Sequence, residues 1–137
     1  MKTDLEKRTL QGAVALASLV PIIAGGSGML LGPGMLGGDP AELTSLDSHF
    51  RYLSGLLFAV GLGYASTIAR IETKSRRFGL LTGIVFVGGI GRLLSAAMTG
   101  LPSTAGLGAL GMELVVAPAL AGWQIRVARR AQRTSTG

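Results

Sequence analysis

The sequence predicts an all-α protein, an integral membrane bundle of four helices with both termini in the cytoplasm. Hydrophobic residues make up 48% of the 137 residues and charged residues only 15%, against roughly one quarter charged in soluble domains. Apolar runs long enough to cross a bilayer alternate with short basic segments. The chain also holds 22 glycines, which let helices approach closely in lipid. We expect one domain over residues 1–137.

Helix 1 is predicted at residues 10–31. No charged residue occurs from Thr9 to Gly38, a longer run than the roughly 18 residues that mark a spanning helix. Pro21 should kink this helix, which neighbouring helices in a bundle tolerate. A basic start followed by an apolar run is also the pattern of a cleaved signal peptide, but we expect the run to be retained.

A Gly/Pro-rich loop is predicted at residues 32–48, with a short helix inside it that three residues would cap. These residues are Asp39, Pro40 and Glu42. Helix 2 is then predicted at residues 49–69. Its small residues recur every four positions, and this spacing predicts a face for close helix packing. They are Gly55, Ala59 and Gly63.

Helices 3 and 4 are predicted at residues 78–98 and 107–125. A short basic turn at residues 70–77 returns the chain from helix 2 to helix 3, and a segment that contains Pro102 joins helix 3 to helix 4. Helix 3 has a small-residue face of its own. That face consists of Gly79, Gly83, Val87, Gly91 and Ser95. The basic tail from Arg126 onward should be frayed.

The lysines and arginines indicate the orientation. Of the 13 basic residues, all except Arg51 and Arg92 fall in the N-terminal segment, the turn at residues 70–77 or the tail. The positive-inside rule places these three segments in the cytoplasm. Short basic blocks between apolar runs do not make the continuous basic face, with stacking aromatics, that nucleic acid requires. We therefore predict no nucleic-acid partner.

Arg92 and Glu113 interrupt the apolar runs of helices 3 and 4. Helix 3 runs outward and helix 4 inward, so both residues should lie at a similar depth, roughly 9 Å below the outer boundary. A charge within a span costs about 2.5 to 3.5 kcal/mol, and an opposite charge at the same depth can offset much of it. We predict a contact between Arg92 and Glu113. Asp47 and Arg51, four positions apart, should form a second ion pair.

Seven polar residues are predicted to gather in the outer leaflet between helices 2, 3 and 4. They are Asp47, His49, Arg51, Tyr52, Arg92, Ser95 and Glu113. One interpretation is structural, two ion pairs that hold the helices in register. The other is a pocket for a lipid headgroup, a quinone carbonyl or another amphipathic ligand. No catalytic residue, metal site or cofactor is predicted, since the chain has no cysteine and a single histidine.

Four short motifs resemble those of a known family. They are DSHFRYLSG with Asp47, Arg51, Tyr52 and Gly55; GRLLS with Gly91, Arg92 and Ser95; GLP at Gly100 to Pro102; and ELVVAP with Glu113, Leu114 and Pro118. Their order and spacing resemble small bacterial four-helix membrane proteins filed as a domain of unknown function. That resemblance implies a four-helix membrane fold and names no activity. A more distant similarity, to four-helix membrane proteins of quinone-linked oxidoreductases, is a fold-level analogy only.

Two functions follow from these observations. The first is a non-catalytic accessory subunit of a larger complex in the bacterial inner membrane, which would contact a membrane protein partner, or a second copy, through its glycine-rich helix faces. The alternative is binding or conversion of a lipid- or quinone-like ligand at the outer-leaflet polar site. The lipid bilayer is the surrounding partner in both.

Overall fold

The computed structural model describes residues 2–36 and 44–135, and within these ranges it contains no β strand. The predicted all-α class is therefore confirmed. The α helices of the described residues are α1 (Lys2–Leu31), α2 (Thr44–Ala65), α3 (Ser75–Thr99), α4 (Thr104–Gly111) and α5 (Ala117–Ser135). The shorter elements are 3-10 helices at Gly32–Leu36 and Ile68–Thr73 and a π-helical turn at Met112–Val116. The predicted short helix with Asp39, Pro40 and Glu42 lies outside the described residues.

Three helical segments of the described chain are long and apolar enough to cross a membrane. They are Asp4–Gly34, Ser75–Thr99 and Thr104–Arg133. α2 is not among them, because every 18-residue window within it includes His49 and Arg51. Apolar side chains of the spans are largely exposed, for example Leu80 at 67% and Leu94 at 60%. Surfaces of this kind are suited to contact with lipid.

The chain divides into two compact units, residues 13–68 and residues 1–12 together with 69–137. In the first, which we call the α1–α2 unit, α1 and α2 pack closely. A Cβ atom on Gly25 would lie 2.5 Å from the backbone nitrogen of Phe58, and one on Gly61 would lie 2.9 Å from the backbone nitrogen of Ile22. Only glycine permits such an approach.

The face of α2 that packs in the structure differs from the predicted one. A Cβ added to Gly55 would make only ordinary contacts, with Met29 at 3.6 Å or more. Ala59 is exposed. The buried positions of α2 are instead Ser54, Gly61 and Tyr64, which recur at the spacing of an α-helical face. A helix with many small residues contains several rows of them at four-residue spacing. The neighbouring helix determines which of these rows is buried.

The second unit, which we call the terminal unit, has its core at the basic end of the chain. Leu10, Ile71 and Phe78 are fully buried, and Val127 is 5% exposed. These residues come from the start of α1, the 3-10 helix before α3, the first turn of α3 and the last part of α5. The segments that flank the apolar spans are thus folded against one another.

α3 packs through the face opposite most of its predicted small-residue face. Its buried residues are Phe78, Thr82 and Gly89. A Cβ on Gly79, Gly83 or Gly91 would meet no atom of the described residues within 4 Å. The predicted small-residue face of helix 3 is therefore not the face that packs within the described residues.

Helix 2 ends four residues before its predicted end. The hydroxyl of Ser66 donates to the Gly63 carbonyl at 2.6 Å, and the hydroxyl of Thr67 donates to the Tyr64 carbonyl at 2.7 Å. Side-chain hydroxyls that bond the backbone in this way compete with helix continuation. The helix also starts earlier than predicted, at Thr44, which brings Asp47 into its first turn, where the helix dipole favours an acid.

The described residues near both ends of the chain are more helical than the sequence predicted. α1 begins at Lys2 and continues through Pro21. The last helical segment begins at Thr104 and continues to Ser135. Ser103 caps its start by accepting a hydrogen bond from the Gly106 N–H at 3.3 Å. The prediction of a frayed tail is wrong, because one face of α5 joins the core of the terminal unit.

Candidate functional site

Arg92 and Glu113 form a bidentate ion pair in the terminal unit. Arg92 Nε donates to Glu113 Oε2 at 3.0 Å, and Arg92 Nη2 donates to Glu113 Oε1 at 3.0 Å. The predicted contact is confirmed. The Glu113 side chain is only 15% exposed, whereas that of Arg92 is 40% exposed. A guanidinium fork matches a carboxylate in this geometry, so both charges are paired within the apolar spans.

The backbone around Glu113 is specialised to hold this pair. Glu113 lies in the π-helical turn Met112–Val116, a local widening that re-aims side chains and is frequent at functional sites. Opposite this turn, a Cβ on Gly89 would lie 2.7 Å from Leu114 Cδ2 and 2.9 Å from Glu113 Cβ. Gly89 and Arg92 are three residues apart and share a face of α3. Gly89 therefore brings the π turn close enough for the ion pair.

Arg51 in the α1–α2 unit caps the C-terminal end of α1. Its Nη1 donates to the carbonyls of Met29 at 2.6 Å and Leu30 at 3.0 Å, and its Nε donates to Asp47 Oδ2 at 2.9 Å. The predicted Asp47–Arg51 pair is confirmed. A cation is favourable at a helix C-terminus because the last carbonyls have no intrahelical partner. Asp47 holds the guanidinium in this position.

Gly32 is required by the same arrangement. It follows α1 with φ +65°, and a Cβ there would lie 2.6 Å from both Arg51 Nη2 and Asp47 Oδ1. We expect Gly32→Ala to lower the free energy of unfolding by about 1 to 2 kcal/mol, because the left-handed backbone is strained for alanine and the added methyl displaces the Arg51 cap. Thermal unfolding in detergent would measure this.

Gly12→Ala is the control for the Gly32 prediction. A Cβ on Gly12 meets no atom of the described chain within 4 Å, so alanine there should be neutral or slightly stabilising. Equal unfolding temperatures for the Gly32→Ala and wild-type proteins would contradict the assignment of Gly32 as part of the cap.

The remaining residues of the predicted cluster are exposed. His49 and Tyr52 are neighbours on α2, with ring centroids 6.3 Å apart and planes tilted by 40°, and Tyr52 is 62% exposed. Ser95 is exposed on α3, and its carbonyl accepts a hydrogen bond from Thr99 Oγ1 at 2.8 Å. The structure thus brings together two pairs of charged residues, Arg92 with Glu113 and Asp47 with Arg51.

A second polar network, which sequence reasoning missed, lies at the basic end of the terminal unit. Gln124 is 1% exposed, and its Nε2 donates to the Ile71 carbonyl at 2.7 Å and to Ser75 Oγ at 2.8 Å. Lys7 Nζ donates to Glu72 Oε1 at 2.9 Å, and Arg130 Nη1 donates to Glu6 Oε2. These bonds join α1, the 3-10 helix and α5. The sequence signal for this network is Glu72, the only acidic residue in the basic turn at residues 70–77.

Glu72 makes this network sensitive to acid. Burial raises the pKa of its carboxyl, but a hydrogen bond from its own backbone N–H, the Lys7 ammonium and the charge of Arg70 outweigh burial and hold the pKa below its ordinary value of 4.5. The unfolded chain therefore binds the proton more readily than the folded chain. The stability contributed by Glu72 is present above that ordinary value and is lost as the pH falls.

We expect Glu72→Gln to remove part of this acid sensitivity. At neutral pH the variant should lose about 1 kcal/mol of stability, a modest value because the pair with Lys7 is partly exposed, and its stability should change less between about pH 5 and pH 3 than that of the wild type. Thermal unfolding at stepped pH values measures both effects. Lys7→Met should flatten the same profile, and an unaltered pH profile in Glu72→Gln would refute the role.

Comparison with known proteins gives one match, to the model of a protein family. A family model described as Domain of unknown function (DUF4345) matches residues 9–124, which include Asp47, Arg51, Arg92 and Glu113. Neither a curated protein nor a solved structure matches the chain. The match extends over most of the sequence, from the first turns of α1 to Gln124 in α5. The chain belongs to the DUF4345 family of domains of unknown function.

Proposed function

We propose that this protein is a multi-pass protein of the bacterial inner membrane, with four spanning helices and cytoplasmic termini, that serves as a non-catalytic accessory subunit of a larger membrane complex. The observation that carries the proposal is the outward face of α3. A Cβ on Gly79, Gly83 or Gly91 would meet no atom of the described residues within 4 Å, and these glycines form an open strip with Val87, which is 67% exposed. Such strips in spanning helices suit close packing against another helix.

The two kinds of glycine in this fold support this interpretation. Gly25, Gly61 and Gly89 each lie against a neighbouring helix within the chain, at distances that no side chain would allow. Gly83 and Gly91 on α3 have no such neighbour among the described residues. A glycine weakens a helix by roughly 0.5 to 1 kcal/mol relative to alanine, so an unpacked row costs stability that a partner helix would restore.

The packing of the basic segments supports the proposed topology. The start of α1, the residues before α3 and the end of α5 share a core through Leu10, Ile71 and Val127. These are the three segments that hold most of the lysines and arginines, and a single basic end is what the positive-inside rule requires of cytoplasmic termini. In α2, Arg51 is bonded to Asp47 and two carbonyls, which reduces the cost of a fourth span.

Affinity purification from the native membrane tests the accessory role. We expect a membrane protein partner to copurify with wild-type protein and to be lost from Gly83→Leu, whose added side chain would fill the strip without disturbing the fold. Gly108→Leu is the matched control, since a Cβ on Gly108 also meets no atom of the described residues within 4 Å but Gly108 lies on α4, outside the strip. Copurification that is equal in both variants, or absent from the wild type, would count against the proposal.

A second candidate is binding of a lipid- or quinone-like ligand at Arg92 and Glu113. The observation in its favour is the 40% exposure of the Arg92 side chain, which leaves part of the guanidinium open beside a π turn. Native mass spectrometry of mildly solubilised protein should then show a bound amphiphile that Arg92→Gln with Glu113→Gln removes. Absence of any bound lipid or quinone in the wild type would exclude this candidate.

A further inference from the structure

A groove of about 330 Å³ runs along the second half of α5. It is lined by Gly122, Ile125, Arg126, Arg129, Arg130 and Arg133. These positions fall at i, i+3, i+4, i+7, i+8 and i+11, the spacing of one face of a helix. The row of arginines extends over roughly 10 Å, at 1.5 Å per residue. The arginines of the predicted frayed tail therefore form one side of a regular helix.

The opposite face of α5 fixes this row in place. Gln124 is 1% exposed, Val127 5% and Ala128 6%, and Gln124 bonds the Ile71 carbonyl and Ser75. Because the helix is anchored in the core of the terminal unit, the backbone positions of the arginines are held at a defined spacing, and the backbone need not be ordered on binding. Preorganisation of this kind lowers the entropic cost of binding a ligand.

The charge in the groove is strongly positive. α5 contains four arginines and no acidic residue. Arg130 bonds Glu6, but Arg126 and Arg129 have no ion-pair or hydrogen-bond partner within residues 2–36 and 44–135. Guanidinium groups bind phosphate oxygens in a planar, two-bond geometry. The groove therefore has the chemistry of a phosphate site.

The position of the groove distinguishes among phosphates. It lies where the charge-free run of residues 114–125 ends, with Gly122 and Ile125 at its apolar end and the arginines beyond. A ligand that fits both ends has a phosphate joined to an acyl chain. We propose that this groove binds the phosphate group of an anionic phospholipid headgroup. The site is distinct from Arg92 and Glu113 and does not depend on the accessory role.

Native mass spectrometry of the full chain in mild detergent tests the proposal. Dioleoyl phosphatidylglycerol and dioleoyl phosphatidylcholine serve as probes with equal acyl chains and different headgroup charge. We expect the wild type to prefer phosphatidylglycerol and Arg126→Gln with Arg129→Gln to weaken that binding by about tenfold or more. Arg130 is left in place because it bonds Glu6.

Arg76→Gln with Arg77→Gln is the matched control, since it removes the same charge from the first turn of α3, outside the groove. This control should keep wild-type affinity, and equal losses in both double variants would overturn the proposal by assigning the effect to net charge. Equal affinity of the wild type for the two lipids would also overturn it. So would groove-dependent binding of inorganic phosphate without groove-dependent binding of phosphatidylglycerol.

If the glutamine variant unfolds, Arg126→Lys with Arg129→Lys provides the test. Lysine keeps the charge but loses the fork, so phosphatidylglycerol should bind several-fold more weakly than to the wild type, while phosphatidylcholine binding stays the same. Unchanged affinity for phosphatidylglycerol in a folded lysine variant would overturn the role of the guanidinium groups.

Discussion

Gly25→Ala is expected to destabilise the α1–α2 unit by about 1 to 3 kcal/mol, the usual cost of forcing an extra methyl group into a closely packed contact. The new Cβ would lie 2.5 Å from the Phe58 backbone nitrogen and 2.6 Å from the Ser54 carbonyl oxygen. Backbone atoms cannot rotate away as a side chain can. The two helices would have to separate, and the contacts along their shared face would weaken together.

The adjacent glycine provides the control for this prediction. A Cβ on Gly26 would meet only the Phe58 ring, at 3.7 and 3.8 Å, which is ordinary contact. Gly26→Ala should therefore be neutral or stabilise the helix by up to about 1 kcal/mol through helix propensity. Thermal unfolding in detergent compares the two variants directly. The close approach would be refuted if both alanines had the same effect, since their sequence environments are nearly identical.

The pattern of charges predicted much of the fold. Long runs without charge gave the positions of α1, α3 and the α4–α5 segment, because ionised side chains are costly in lipid. The similar depth expected for Arg92 and Glu113 in the membrane predicted their contact, although the two residues are far apart in the sequence. Helix boundaries were less accurate, since Ser66 and Thr67 end α2 through local hydroxyl bonds that compete with a helix in a way hydropathy does not register.

The details of the polar sites were beyond sequence reasoning. The π turn at Met112–Val116 has no distinctive composition, and Gly89 is one of several glycines on α3. Arg51 was recognised as a partner of Asp47, but its bonds to the Met29 and Leu30 carbonyls depend on where α1 ends. Contacts of this kind follow from tertiary packing, which decides among sequence rows that look equivalent.

The largest expected effect is that of breaking the Arg92–Glu113 pair on one side. Arg92→Gln would leave the Glu113 carboxylate, 15% exposed, without its cation in an apolar span. We expect a loss of about 2 to 4 kcal/mol, because removing the arginine leaves the mostly buried Glu113 carboxylate without a compensating charge. The measurement is unfolding in detergent micelles by heat or by titration with a denaturing detergent.

The double variant distinguishes charge pairing from simple loss of a side chain. In Arg92→Gln with Glu113→Gln, no charge is left unpaired, and two glutamines can still hydrogen-bond each other. The double variant should therefore be more stable than Arg92→Gln alone, with a coupling energy of about 1 to 3 kcal/mol in the mutant cycle. If the two single losses simply added, the pair would make no net contribution, and the geometry at 3.0 Å would reflect proximity alone. Positive coupling would instead show that the ion pair itself contributes to holding α3 against the last span.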